Sequence, residues 1–432
     1  MNELQNKTVA VYTLGCKVNQ YETNAMRQKF LEAQYEVVEF KEKADIYVVN
    51  TCTVTNMSDR KSRQILRRVK ENNKECILVV TGCYAQVAKE ELEKISDIDI
   101  VLGNNEKKDI IKYVEKFYKD KQKANIISDI MMQKSITEFD SIAYTEKTRA
   151  VIKIQDGCDR FCSYCIIPYA RGRVRSRKIE DIIKEIKEIE KKGIKEVVIT
   201  GIHIASYGKD FKSNINLIDL LEEINKIDGI QRIRLGSLEP TIITEEFVKR
   251  LVKLNKVCDH FHLSLQSGCN ETLKRMNRRY TIEEFEEIVK ILRKYYEDVN
   301  LTTDIIVGFP GETEEEFKTT YQFLEKIKFY KMHIFKYSPR KGTKATTMQN
   351  QIQGDIKEER SKKLLELSDK NQYEYNKQYI GKEVEVLFEE QDGEYIKGHT
   401  TNYIEVYSSR VQKANSIVQI KVLGQKDGKI EA

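Results

Sequence analysis

The sequence predicts an α/β chain in three parts: a doubly wound parallel α/β domain, a central partial (β/α)6 barrel, and a small all-β, OB-like barrel. Three observations carry this. From Val9 to about Lys119, short apolar runs alternate with amphipathic stretches, the pattern of parallel strands joined by helices. The same alternation resumes at Arg149 and runs to Phe335, and after Glu383 only short strand-like runs remain.

In the first part, Val9-Ala-Val-Tyr12 precedes a helix from about Gln20 to Gln34, and Ile46-Tyr-Val-Val-Asn50 precedes one from Ser58 to Asn72. Ile77-Leu-Val-Val-Thr81 leads to Val87 through Ile95, and Ile100-Val-Leu102 leads to Lys107 through Lys119. These place a domain over residues 5–120; the polar stretch 121–147, with broken periodicity, reads as a linker. Over 148–378 the expected strands are Val151 to Ile154, Glu196 to Thr200, Arg232 to Leu235, His260 to Leu265, Leu301 to Val307 and Lys331 to Phe335. Helices such as Ile179 to Lys192, Leu217 to Asn225, Glu245 to Leu254, Thr281 to Tyr296 and Glu314 to Lys326 separate them. A long helix from about Lys357 to Lys377 closes this region, and four strand-like runs between Glu383 and Leu423 form the last part, 379–432.

At 432 residues the chain exceeds what one core sustains. Mean hydropathy is -0.56 and no apolar run reaches membrane-spanning length. The opening Met-Asn-Glu-Leu-Gln-Asn-Lys has no apolar leader and the nine cysteines are odd in number. A cytoplasmic chain with no membrane association and no disulfides is expected.

The cysteines carry the chemistry. Cys158, Cys162 and Cys165 stand in Gln-Asp-Gly-Cys-Asp-Arg-Phe-Cys-Ser-Tyr-Cys, a CxxxCxxC triplet directly after the first barrel strand. Iron-sulfur clusters normally take four thiolates, so three without a nearby fourth leave one iron open. A zinc knot would want a fourth Cys or His within a few residues, and none is there. Cys16, Cys52 and Cys83 each follow a strand of the first domain. Loops at those strand ends converge in open α/β sheets, so a second cluster is set against three inert thiols. Cys76, Cys258 and Cys269 show no such pattern and read as small core or loop residues.

With Cys16, Cys52 and Cys83 in front, the CxxxCxxC triplet in the middle and a small β-barrel behind, the chain resembles the radical S-adenosylmethionine methylthiotransferases over nearly its whole length. The segment Thr13-Leu-Gly-Cys-Lys-Val-Asn-Gln-Tyr-Glu22 is most similar to the branch that acts on N6-threonylcarbamoyladenosine beside the tRNA anticodon. The isopentenyladenosine branch tends to have Gln-Met-Asn after the first cysteine, and the ribosomal-protein branch Pro-Lys-Asn. Ile199-Thr-Gly-Ile-His-Ile-Ala-Ser-Tyr-Gly208, Arg234-Leu-Gly-Ser-Leu-Glu-Pro240, His262-Leu-Ser-Leu-Gln-Ser-Gly-Cys269, Lys274-Arg-Met-Asn-Arg-Arg-Tyr-Thr281 and Asp304-Ile-Ile-Val-Gly-Phe-Pro-Gly-Glu312 also resemble the family.

The resemblance implies two 4Fe-4S clusters, one on each cysteine set, and S-adenosylmethionine in two roles, methyl donor and source of a 5'-deoxyadenosyl radical. It implies replacement of the hydrogen on adenine C2 by methylthio, a C–H bond that acid-base residues alone could not break. Its last module corresponds to the RNA-binding TRAM barrel. Tyr164 is then a candidate to pack on the cofactor's adenine, and Gly201 a position where backbone meets the methionyl amine. Glu239 and Gln266 are candidates for polar contacts to ribose or the methionyl group, against ordinary strand-end capping, and Gly308 opens an adenine-side turn. The implied partners are tRNA through its anticodon stem-loop, an electron donor protein and a sulfur source.

The net charge of +6 says little about RNA, and local patterns say more. Arg60, Arg63, Arg67 and Lys70 share a helical face, and Arg171, Arg173, Arg175 and Arg177 alternate along the chain after Cys165. Both lie beside cysteine loops and are candidates for RNA contact, against solvated faces. Acidic residues outnumber basic ones in the last module, so RNA binding there would rest on a local patch such as Lys397, His399, Tyr403 and Arg410. Methylthiolation of isopentenyladenosine or of a ribosomal protein, and a noncatalytic iron-sulfur or zinc protein that binds RNA, are the alternatives.

Overall fold

A computed structural model describes residues 7–136, 139, 148–409 and 412–432. Six parallel strands build the first sheet: β1 Thr8–Thr13, β2 Glu36–Val38, β3 Ile46–Thr51, β4 Ile77–Gly82, β5 Ile100–Leu102 and β6 Ala124–Ile126, in the order β2-β1-β3-β4-β5-β6. Strands covered on both faces need apolar side chains at every position, and β3 and β4 are buried throughout. Their period of two splits the core. Val9, Val11, Val48 and Val79 pack against helices Lys17–Glu32 and Ile110–Asp120, while Tyr47, Val49, Leu78 and Val80 pack against Leu66 and Val69 of helix Asn56–Asn72.

The stretch expected as a linker is partly structured. Residues 124–126 form β6 and pair with β5, and Ile130–Met132 forms a short 3-10 turn. Three-residue edge strands are too short to read from sequence, whether centred on Asn125 as in β6 or carrying two valines as in β2. Residues 137, 138 and 140–147 of that stretch lie outside the described residues.

In the middle, β7 Arg149–Asp156, β8 Arg175–Ser176, β9 Glu196–Gly201, β10 Arg232–Leu235, β11 His260–Gln266, β12 Asn300–Val307 and β13 Lys331–Lys336 follow. All the expected strands are present, with β8 added as an antiparallel partner at the end of β7. Parallel ladders join β10, β9 and β7 on one side and β11, β12 and β13 on the other, and the bridges Ile233 to Val257 and Leu238 to Leu263 connect the halves. The largest core of the molecule lies between these strands and the outer helices.

Helix Gly354–Lys377 leads to the last module, β14 Glu383–Asp392, β15 Tyr395–Thr400, β16 Glu405–Ser408, β17 Ile417–Lys421, β18 Gly424–Lys426 and β19 Lys429–Glu431. These are antiparallel except for β16 with β19. Where four runs were expected, six strands occur; the extra hairpin β18–β19 is short and polar at its turn. This module seats on the barrel at the amino ends of the strands, opposite the cysteine triplet. There Arg232 donates to the carbonyl of His399 at 2.9 Å, and Arg234 to those of Thr401 at 2.8 Å and Thr400 at 3.2 Å. Glu196, itself fully buried, holds Arg234 Nε at 2.7 Å. Among the described residues no helix is long and apolar enough to cross a membrane.

Candidate active site

The triplet loop is built by backbone contacts. Gly157, at φ +73°, ends β7 so closely against the next segment that a Cβ there would lie 1.8 Å from the Arg173 carbonyl. Cys158 N–H donates to the Gly172 carbonyl at 3.0 Å, and Cys165 N–H to the Cys162 carbonyl at 3.0 Å. Ser163 is clamped to the end of helix Asn270–Arg275, its N–H on the Met276 carbonyl at 3.0 Å and its hydroxyl on that of Arg275 at 2.7 Å. All three thiols are half-buried. Burial pushes Cys158 up to about 11 and Cys165 up to about 12, so the bare loop favours thiols, and a bound metal would be what removes the protons.

A chain of polar contacts runs from Gln155 of β7 to the triplet. Gln155 Oε1 accepts from His203 N–H at 2.8 Å, His203 Nε2 meets Glu239 Oε2 at 3.0 Å, and Arg278 bridges Glu239 at 3.3 Å to Cys162 Sγ at 3.4 Å. Burial alone would raise the Glu239 carboxyl; the hydrogen bond from His203 and the charges of Arg278, His203 and Arg160 hold it instead at about 2. A Cβ on Gly201 would come within 2.9 Å of the Gln155 carbonyl and 3.0 Å of its Oε1, so that position borders the same chain. Gln266 ends β11 in the left-handed region at φ +71°, a strained conformation of the kind found at functional sites. Gly308, at φ +68°, donates to Glu312 at 2.6 Å, and Arg360 locks that carboxylate at 2.7 Å. Tyr164 packs edge-on against Phe309 of this turn, ring centroids 6.4 Å apart. Arg278 and His203 were not singled out from sequence; both lie in quoted motifs, but only proximity in space gives them a role.

The three cysteines of the second set each follow a strand of the first sheet. Cys16 caps helix Lys17–Glu32, Cys52 follows β3, and Cys83 begins helix Cys83–Val87 after β4. At Gly15, φ +97°, a Cβ would lie 2.7 Å from both Cβ and Sγ of Cys52, which brings the first loop onto the second. Cys83 Sγ accepts from Arg171 Nε at 3.1 Å. Arg171 is fully buried and also donates to Glu22 at 2.5 and 3.0 Å and to Asn19 Oδ1 at 2.5 Å. Glu22 further accepts from Lys107 at 2.6 Å and Lys153 at 2.7 Å, and Lys153 reaches Asp156 at 2.6 Å. Burial would raise the Glu22 carboxyl, but these cations hold it well below the usual range.

Two carboxylates, Glu22 and Asp156, thus meet four cationic side chains, Arg171, Lys107, Lys153 and Arg175. The positive surplus faces Cys83, and a thiolate ligand there balances it, so the residues fit an anionic thiolate-bound group. Among the described residues, no three His, Cys, Asp or Glu side chains converge as ligands of one ion. A cubane takes each thiolate on a separate iron, so each cysteine set has the composition to hold three irons of one.

The basic candidates divide. Arg60, Arg67 and Arg173 are exposed. Arg63 is drawn onto Tyr84 Oη at 2.9 Å, and Lys70 onto Asp99 at 2.8 Å and the Cys76 carbonyl at 2.7 Å. Arg171, Arg175 and Arg177 are corrected outright: they are 0, 2 and 5% exposed. The pairing of β8 with β7 turns Arg175 and Arg177 inward, where Arg177 meets Glu185 at 2.6 Å and the Lys153 carbonyl at 3.0 Å. In the last module His399 is tied to Glu389 at 2.5 Å, Lys397 pairs with Glu390 at 2.5 Å, and Tyr403 packs inward on His399; Arg410 lies outside the described residues.

Residues 152–324 match the radical SAM superfamily, and residues 8–103 match the uncharacterized protein family UPF0004. The chain is 43% identical over 423 residues to the threonylcarbamoyladenosine tRNA methylthiotransferase MtaB of Bacillus subtilis, covering 96% of this chain and 94% of that protein. It is 42% identical over 414 residues to its namesake from Aquifex aeolicus, covering 96% and 100%. It is 34% identical over 434 residues to the tRNA-2-methylthio-N(6)-dimethylallyladenosine synthase of Moorella thermoacetica, covering 96% of each. Among solved structures, the radical S-adenosylmethionine methyltransferase TsrM of Kitasatospora setae superposes with a TM-score of 0.56 at 15% identity, over 78% of this chain and 74% of that one, a likeness of fold. With the cysteine triplet after β7, a second cysteine set at the ends of the first sheet, and relatives of this kind over nearly its whole length, the chain belongs to the radical S-adenosylmethionine methylthiotransferase family.

Proposed function

We propose that the protein methylthiolates C2 of the adenine in N6-threonylcarbamoyladenosine next to the tRNA anticodon, with a 4Fe-4S cluster on each cysteine set. The observation that carries this is the tie between the two sets. Six residues after Cys165, Arg171 reaches across to Cys83, and its buried ion network takes in Asp156, two residues before Cys158. When bound, the clusters and two S-adenosylmethionine molecules supply a radical, an electron and a methylated sulfur. The chain's residues hold and orient them. Glu239, fixed by His203 and Arg278, offers its carboxylate beside the triplet, the Gly308 turn with Phe309 and Tyr164 makes an aromatic wall, and Gly201 leaves backbone uncovered.

The same reading takes tRNA through its anticodon stem-loop, with an electron donor protein and a sulfur source, in the cytoplasm. The test is mass analysis of nucleosides from threonylcarbamoylated tRNA after anaerobic reaction with the reconstituted protein, S-adenosylmethionine, sulfide and a reductant. A gain of methylthio for hydrogen, lost in Cys162→Ala and in Cys52→Ala, supports the reading. A gain only on dimethylallyladenosine, or only on a ribosomal protein, replaces it.

A further inference from the structure

Four of the chain's five histidines meet away from the triplet. His260 and His262 of β11, His333 of β13 and His399 of β15 line a cavity of about 420 Å³ that runs from the amino ends of β11 and β13, where the last module seats, to Leu235, Gly236 and Ser237 at the carboxyl end of β10. Lys17, the residue after Cys16, reaches the same cavity from the first domain, so its backbone is one peptide, about 3.8 Å, from a ligand of the second cysteine set.

The cavity walls are polar. Thr302 Oγ1 lies 3.0 Å from His260 Nε2 and 3.0 Å from His262 Nδ1, and His262 Nε2 meets Asp304 at 3.2 Å. His260 is 6% exposed, and its other ring nitrogen, Nδ1, has no hydrogen-bond partner. Tyr403, at φ +68°, lays its ring beside His399 and His260, centroids 4.6 and 4.9 Å away, and beneath the Arg234 guanidinium at 4.6 Å. Of the cavity's carboxylates, Asp304 is met by His262 and Glu405 accepts from Tyr407 Oη at 3.1 Å, whereas the Lys17 side chain has no hydrogen bond or ion pair among the described residues.

The two kinds of relative differ in what their adenosine carries: threonylcarbamoyl has a carboxylate, a hydroxyl and a urea, whereas dimethylallyl has no polar atom. An apolar tail would leave buried donors and acceptors unpaired, and sites built to hydrogen-bond reject analogues lacking the partner group far more strongly than apolar pockets reject a methylene. We propose that this cavity is the subsite for the threonylcarbamoyl tail, with Lys17 on its carboxylate and His260 Nδ1 on one of its other polar atoms. The assignment rests on the proposed substrate and adds the residues that select it.

The test measures binding of fluorescent anticodon stem-loops to the full reconstituted protein. The stem-loops carry threonylcarbamoyladenosine, its neutral methyl ester, or dimethylallyladenosine. A charge-assisted hydrogen bond corresponds to a preference for acid over ester of roughly ten-fold or more. Lys17→Met is expected to bring acid and ester together, and Lys17→Arg to keep them apart. Equal weakening of all three RNAs by Lys17→Met would mark a phosphate contact and overturn the assignment, as would a full preference surviving in that variant. A wild-type protein that methylthiolates the threonylcarbamoylated RNA yet binds acid and ester alike overturns the subsite and leaves the function standing. Methylthiolation of the dimethylallyl RNA alone overturns both.

Discussion

Arg171 Nε donates to Cys83 Sγ at 3.1 Å from a side chain with no solvent exposure, while its other nitrogens hold Glu22 and Asn19. One guanidinium therefore joins the cysteine loop after β4 to the segment that follows the triplet. Removing one member of a buried ion network costs about 3–5 kcal/mol, because the remaining charges lose their balance. Arg171→Met should lower the unfolding free energy by that order in urea titrations and reduce iron bound by a protein whose triplet is replaced by alanine. Arg171→Lys keeps the charge but not the fork, and is expected to recover fold stability better than iron content. Full iron loading by Arg171→Met at unchanged stability would sink this account.

The Gly15 position makes a narrower prediction. With φ +97° and 2.7 Å between a built Cβ and Cys52 Sγ, Gly15→Ala must move the loop that presents Cys16. The strain is about 1–3 kcal/mol, and the displaced loop should lose iron from the first-domain set alone. Iron and sulfide per chain should fall by about half, with S-adenosylmethionine cleavage by the triplet retained. Gly157→Ala, whose Cβ would lie 1.8 Å from the Arg173 carbonyl, is expected to lose the triplet's share instead.

The contrast between these loops and the arginines shows what the sequence discloses. The strand-end cysteines were legible because a βα repeat forces successive loops to one edge of the sheet, whatever the side chains do. Arg175 and Arg177 were not, because an alternating run in an extended segment has two faces and local pattern does not say which is covered. Their partners, such as Glu185 for Arg177, come from elements that proximity in sequence does not announce. Strand β6 escaped for a different reason: Ala124 and Ile126 pack on the first core, but three residues with a polar centre make no run that marks a strand before its pairing with β5 is seen.

Glu239 gives the pH dependence. Its carboxyl falls from an ordinary 4.5 to about 2 in the fold, so its contribution to stability is complete above the ordinary value and is lost as pH drops toward the depressed one. The shift corresponds to roughly 3 kcal/mol as an order of magnitude. Urea unfolding of the metal-free protein should show wild type losing its advantage over Glu239→Gln between about pH 5 and pH 2. Parallel curves for the two proteins across that window would remove Glu239 from the network of His203 and Arg278.

The division among basic residues separates binding from folding. Arg60 and Arg67 are exposed on the helix that follows Cys52, and Arg173, paired with the exposed Asp159 at 3.3 Å, is exposed after the triplet, whereas Arg177 and Lys70 are held inward by Glu185 and Asp99. Each phosphate contact removed should lower the slope of log affinity against log salt by about one and weaken all RNA sequences alike. Arg60→Ala, Arg67→Ala and Arg173→Ala are therefore expected to reduce affinity for the anticodon stem-loop and flatten its salt dependence at unchanged thermal stability. Arg177→Ala should lower the melting temperature and leave the salt slope as it was, because a guanidinium already enclosed by carboxylate and carbonyl has no phosphate to release. Salt titrations of the four variants, set beside their melting curves, decide the matter; a lowered slope in Arg177→Ala without loss of stability would mean that the buried face opens when RNA binds.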